Sequence, residues 1–79
     1  MKKESTTLSK SVLGTIYEII SVNTNKTIQQ RIFDLGIIPG AIIKPVQKSP
    51  LGDPTAYCIQ GSIIALRNSD AANIIVKKY

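Results

Sequence analysis

Thr55-Ala56-Tyr57-Cys58-Ile59-Gln60-Gly61-Ser62-Ile63-Ile64-Ala65-Leu66-Arg67 is two short runs rich in β-branched and aromatic residues about one glycine. Such residues suit a pleated, half-buried surface, and two short runs about a glycine read as a hairpin. The stretch predicts a strand over Thr55 to Gln60, a tight turn at Gly61-Ser62 and a strand over Ile63 to Arg67. Just before it stands Ser49-Pro50-Leu51-Gly52-Asp53-Pro54, the densest cluster of chain breakers, which predicts a loop. Ala41 to Lys48 alternates loosely and reads as another strand. Pro45 within it points to a sheet edge or a bulge, because proline cannot donate to the ladder. After the hairpin, Asn68 to Ala72 suits a single helical turn and Ile74 to Lys78 a last strand.

Farther toward the N-terminus, Pro39-Gly40 presets a type II turn: proline fixes the first central φ and glycine tolerates the positive second one. Ile28, Ile32 and Leu35 fall at i, i+4 and i+7, which predicts a helix from Lys26 to Leu35. Asn25 or Thr27 can cap it, and Gly36 stands where a left-handed residue ends a helix. Thr15 to Val22 reads as the first strand. Residues 1–10 are polar and aperiodic and predict a flexible lead-in, with the fold starting near Val12 and one domain over residues 11–79. Five short strands and one helix in 79 residues predict a mainly β chain closed into a small SH3-like barrel. Its expected core includes Ile28, Ile32, Leu35, Ile64, Leu66, Ile74 and Val76.

Composition excludes several classes of function. Cys58 is the only cysteine, so no intramolecular disulfide can form and a reducing compartment fits. No apolar run approaches the roughly 20 residues that a spanning helix needs. Glu4-Ser5-Thr6-Thr7 follows the basic N-terminus where a secretory signal would place its apolar stretch, so a cytoplasmic location is expected. The net charge of +5 raises the question of a nucleic-acid partner, but half of the basic residues lie near the two termini. Tyr17 and Tyr57 are the only aromatics in expected strands, too few for base-stacking platforms.

The chemistry-bearing residues are sparse. There is no histidine, and the five carboxylates are spread over separate elements, which predicts neither a ferrous ion site nor any bound cofactor. Glu18 and Asp34 are the pair that might approach one another. Cys58 has no base to activate it, and no Gly-Lys-Ser or Gly-Lys-Thr phosphate loop occurs, so no catalysis is expected. What remains is recognition. Pro50 to Pro54 is a stiff loop with an apolar tip, Leu51, and an acceptor, Asp53. Gly52 can instead supply only a positive φ, and Asp53 can cap the turn through its own backbone. Arg67 stands beside Asp70, where a local ion pair or a bond to loop carbonyls competes with partner contact.

Three blocks in order carry a family likeness: Arg31-Ile32-Phe33-Asp34-Leu35-Gly36-Ile37-Ile38-Pro39-Gly40, then Pro50-Leu51-Gly52-Asp53-Pro54, then Gly61 followed by Ile64-Ala65-Leu66-Arg67 and Asp70-Ala71. Together they resemble the FeoA family. The likeness runs from about Leu8 to Val76. It implies an SH3-like accessory protein that acts on the cytoplasmic side of FeoB, the membrane-embedded, GTPase-linked ferrous iron permease of bacteria. In this frame Leu35, Gly36, Pro39, Gly40 and Gly61 are structural motif residues, while Pro50, Leu51, Gly52, Asp53, Pro54 and Arg67 are candidates for partner binding. A similar barrel forms the C-terminal domain of iron-dependent repressors. The rival functions are therefore a basic barrel that binds nucleic acid and a stand-alone metal-responsive domain.

Overall fold

The computed structural model describes residues 4–79. Its elements are β1 (Ser5–Thr7), a 3-10 turn (Leu8–Lys10), β2 (Tyr17–Val22), α1 (Lys26–Asp34), β3 (Ile42–Lys48), β4 (Thr55–Ile59), β5 (Ser62–Leu66), α2 (Asn68–Ala71) and β6 (Ile74–Lys78). All strands join one antiparallel sheet in the order β1-β6-β2-β3-β4-β5. The mainly β class is as the sequence predicts, with six strands in place of five.

The extra strand corrects the reading of residues 1–10 as a lead-in. Residues 1–3 lie outside the described residues, but Ser5, Thr6 and Thr7 pair with Lys77, Val76 and Ile75 of β6. Leu8 is 0% exposed. Its carbonyl accepts from the Ser11 hydroxyl at 2.6 Å and from the Ser11 N–H at 3.1 Å, which holds the chain as it leaves the 3-10 turn. Burying one such leucine contributes about 1.5–3 kcal/mol, which together with the ladder to β6 offsets the entropy of ordering the segment. Val12, where the fold was expected to begin, is exposed.

Helix α1 starts as predicted: Asn25 Oδ1 accepts from the Ile28 N–H at 2.9 Å. Its end corrects the apolar stripe. The Gly36 N–H donates to the Phe33 carbonyl at 2.9 Å and the Ile37 N–H to the Ile32 carbonyl at 3.3 Å, with Gly36 at φ +92°. This paired pattern is a Schellman motif, and it brings the residue after the glycine back against the last turn. Ile37 is therefore fully buried beside Ile32, while Leu35 is 45% exposed. Ile28 and Ile64, also expected in the core, are only partly buried against it; Ile32, Leu66, Ile74 and Val76 are buried.

At Pro39-Gly40 the Ala41 N–H donates to the Ile38 carbonyl at 3.0 Å, and Gly40 has φ +91°. Strand β3 then runs between β2 and β4, and a register shift between Pro45 and Gln47 absorbs the proline, so the bulge is the realised alternative. The hairpin turn lies one residue earlier than predicted. Gln60 and Gly61, at φ +49° and +80°, are its two central residues, and Ile59 pairs with Ser62. Two positive φ values define the twisted turn that best matches strand twist, and Gln60 accepts that strain where Ser62 was expected to share it.

Candidate functional site

Two groups of sequence-selected residues lie at opposite ends of the β4–β5 hairpin, about 13 Å apart along strands of this length. At the turn end, the Gln60 side chain lies 3.6 Å from where a Cβ on Gly36 would stand. Gly61 and Gly36, with Leu35, Pro39 and Gly40 nearby in the chain, thus shape one end of the sheet.

At the other end is the Pro50–Pro54 loop. Its closure is local first: the Gly52 N–H donates to the Ser49 carbonyl at 2.8 Å, and the Ser49 N–H donates to the Pro54 carbonyl at 3.1 Å. A residue that sequence reasoning passed over then locks it. The Asn68 N–H donates to Asp53 Oδ1 at 3.0 Å, Asn68 Nδ2 donates to the Gly52 carbonyl at 2.8 Å, and Asn68 Oδ1 accepts from the Thr55 hydroxyl at 3.3 Å. The carboxylate of Asp53 is thereby engaged at the first turn of α2, within the molecule. Gly52 has φ +83°, which a side chain would strain.

The loop fixed in this way presents Leu51 to solvent at 95% exposure. Beside it a groove of ≈ 290 Å³ is lined by Gln47, Ser49, Pro50, Pro54, Ala56 and Ala65. The Ser49 hydroxyl is buried there without a hydrogen-bond partner among the described residues.

Arg67 is exposed and precedes α2, and its carbonyl accepts from the Asp70 and Ala71 N–H groups at 3.0 Å. The expected ion pair with Asp70 does not form: among the described residues the sole ion pair is Lys77 with Glu18 at 3.9 Å. That pair is exposed enough to contribute little. Of the two carboxylates singled out in the sequence, Asp34 accepts from Gln30 Nε2 at 2.9 Å and Glu18 holds the ion pair with Lys77. Among the described residues no three His, Cys, Asp or Glu side chains group about a centre. Tyr57 is displaced in its protonation: burial pushes its phenol up, and the nearby Thr55 hydroxyl pulls the other way. It serves the core.

Cys58 sits half-buried on the outer face of β4, between Lys44 of β3 and Ile63 of β5. With Ile16, Ile42 and Gln60 it borders a shallow recess of ≈ 210 Å³. This outer face, continued by Ala56 and Ala65, is a largely apolar surface leading from the turn end to the Pro50–Pro54 loop. Burial alternates along β4, but Ala56, Cys58, Ile63 and Ala65 are apolar like the residues beneath them, so no polar/apolar alternation in the sequence signals this face.

Comparison with known proteins gives a consistent result. Residues 6–78 match the family described as FeoA domain. A fusion protein of Porphyromonas gingivalis, Fe(2+) transport protein A/Fe(2+) transporter FeoB, is 36% identical over 70 residues, which cover 89% of this chain and 8% of that protein. The chain thus spans less than a tenth of that relative. The solution structure of the FeoA protein from Chlorobium tepidum superposes with a TM-score of 0.86 at 32% identity, over 91% of this chain and 69% of that one. The zinc complex of FeoA from Stenotrophomonas maltophilia, described as an SH3 domain protein possibly acting as a ferrous iron transport activating factor, gives 0.77 at 32% identity, over 89% and 87%. A manganese-dependent transcriptional repressor gives 0.83 at 14% identity, over 100% of this chain and 44% of that one, a likeness that shows the fold alone. No helix among the described residues is long and apolar enough to cross a membrane.

Proposed function

The chain belongs to the FeoA family of ferrous iron transport proteins, and from that premise we propose that it is a cytoplasmic accessory module that binds a FeoB-type ferrous iron transporter and modulates it through protein contacts. The observation that carries this reading is the fusion relative, in which a FeoA part and a FeoB part share one polypeptide. Fusion keeps two modules at high effective concentration, which serves function when they act on one another. The surface that suits docking is the Pro50–Pro54 loop. Its backbone is already held by Ser49, Pro54 and Asn68, so docking orders little that is not ordered beforehand. Leu51, almost wholly exposed, is an apolar anchor offered at no cost to the core.

The test is co-purification of the cognate FeoB-type transporter in detergent with wild-type protein and with Leu51→Asp. The variant is expected to bind about fivefold more weakly or worse, the threshold of about 1 kcal/mol for an interface residue that matters. Its melting should stay within about 0.5 kcal/mol of wild type, as for other exposed positions. Equal binding by a normally folded variant would remove the loop from the interface, and no binding by the wild type would overturn the reading itself.

A further inference from the structure

Strand β5 has one hydrogen-bonded neighbour, β4, and forms an edge of the sheet. The two-residue turn at Gln60-Gly61 makes Ile59 and Ser62 a pair that exchanges both ladder bonds. In an antiparallel ladder such pairs alternate with pairs that exchange none. Tyr57–Ile64 and Thr55–Leu66 therefore exchange bonds, and the N–H and C=O groups of Ile63 and Ala65 face away from β4. No backbone group of another element pairs with them among the described residues. The same two residues carry their side chains on the outer face, where Ile63 is 63% exposed.

Proteins ordinarily blunt such an edge with a lysine, a proline, a bulge or a very short strand. Ser62-Ile63-Ile64-Ala65-Leu66 has none of these: it is five residues long, uncharged, and in unbroken register with β4. The edge at the far side of the sheet, β1, is only three residues, all polar. The two edges are thus treated differently by one sequence.

We infer that the β5 edge receives an extended segment of the FeoB-type transporter by strand addition, an inference that rests on the function proposed above. The segment's backbone pairs with Ile63 and Ala65, an apolar side chain of it packs on Ile63, and a carboxylate reaches Arg67 at the end of the edge. Charge decides this occupant over a second copy of the chain. Arg67 directly follows β5 and has no carboxylate within ion-pair distance among the described residues. A second copy, itself of net charge +5, paired antiparallel about Ile64 would bring an uncharged strand and would set Arg67 opposite Gly61, leaving Arg67 uncompensated. An acidic, apolar strand compensates it. The edge is also continuous with the groove beside Leu51, since Ala65 lines both.

Ala65→Pro tests the geometry, because it deletes an N–H that points away from β4 and leaves the ladder to β4 intact. With the cognate FeoB-type transporter in detergent, this variant is expected to bind about tenfold more weakly than wild type, the effect of one lost main-chain bond and one carbonyl left unpaired. The second measurement needs no variant: amide hydrogen exchange at Ile63 and Ala65 of the wild type should slow on adding the transporter. Wild-type binding with unslowed exchange at these amides would overturn strand addition and leave the proposed function standing. Loss of wild-type binding would overturn both. Slowed exchange that instead rises with the concentration of the chain alone would overturn the choice of occupant in favour of a second copy.

Discussion

Asn68→Ala is expected to destabilise the protein by about 3 kcal/mol. The backbone N–H of residue 68 keeps its bond to Asp53, so only the two side-chain bonds are lost. The Gly52 carbonyl, on a half-buried loop, loses its donor but can turn to water, a loss of about 0.5–1.5 kcal/mol. The Thr55 hydroxyl belongs to a buried residue and loses its acceptor, which costs about 1–3 kcal/mol. Urea unfolding followed by circular dichroism reads the effect as a lower midpoint at unchanged slope, because the surface exposed on unfolding stays the same. On a chain of this size the melting temperature should fall by about 12–24 °C. In a Thr55→Val background the same substitution should cost less, since no buried hydroxyl is then orphaned, and the difference is the coupling of the pair. A midpoint within about 0.5 kcal/mol of wild type would refute the view that Asn68 locks the loop.

Ser49→Ala removes a buried hydroxyl without a partner and is expected to stabilise by up to about 1 kcal/mol, read as a raised urea midpoint. Ile37→Ala should cost about 2–5 kcal/mol by leaving a cavity, whereas Leu35→Ala, at a half-exposed site, should cost under about 1 kcal/mol; the opposite order would contradict the Schellman geometry. Burial raises the Tyr57 pKa above its ordinary 10.0, so the folded state holds the phenol proton to higher pH than the unfolded state does. The stability this gives is complete below pH 10 and is lost as pH rises through the folded value, so the wild-type urea midpoint should fall above pH 10 more steeply than that of Tyr57→Phe.

The parts of the fold legible in the sequence are those set by local backbone chemistry. Asn25, Gly36, Pro39-Gly40 and the Ser49–Pro54 cluster each act within a few residues, and each did what its chemistry dictates. The parts that were not legible depend on distant partners. Ser5-Thr6-Thr7 carries no strand pattern, and its pairing is decided by β6 about 70 residues later. Helical spacing extends the stripe through Ile28 and Ile32 to Leu35, but Leu35 is the cap beyond the last helical residue, Asp34, and Ile37 takes the core position instead. Asn68 looked like an ordinary helix-starting residue. Its hold on Gly52 and Thr55 exists only once the hairpin brings both ends of β4–β5 together.

The same division bears on where function can reside. Strand β5 is held by β4 on one side and buries only Leu66, so Ile63 and Ala65 are free to vary without disturbing the interior. Strands β2 and β6, by contrast, bury Tyr17, Ile19, Val22, Ile74 and Val76, and Leu8 seals against them from the N-terminal side. A substitution there acts first on folding, and any loss of binding that follows is indirect. Leu51, Ile63, Ala65 and Arg67 lie on the side of the molecule where binding and stability are separable, which is what an interface needs if it is to adapt to a partner while the barrel stays intact.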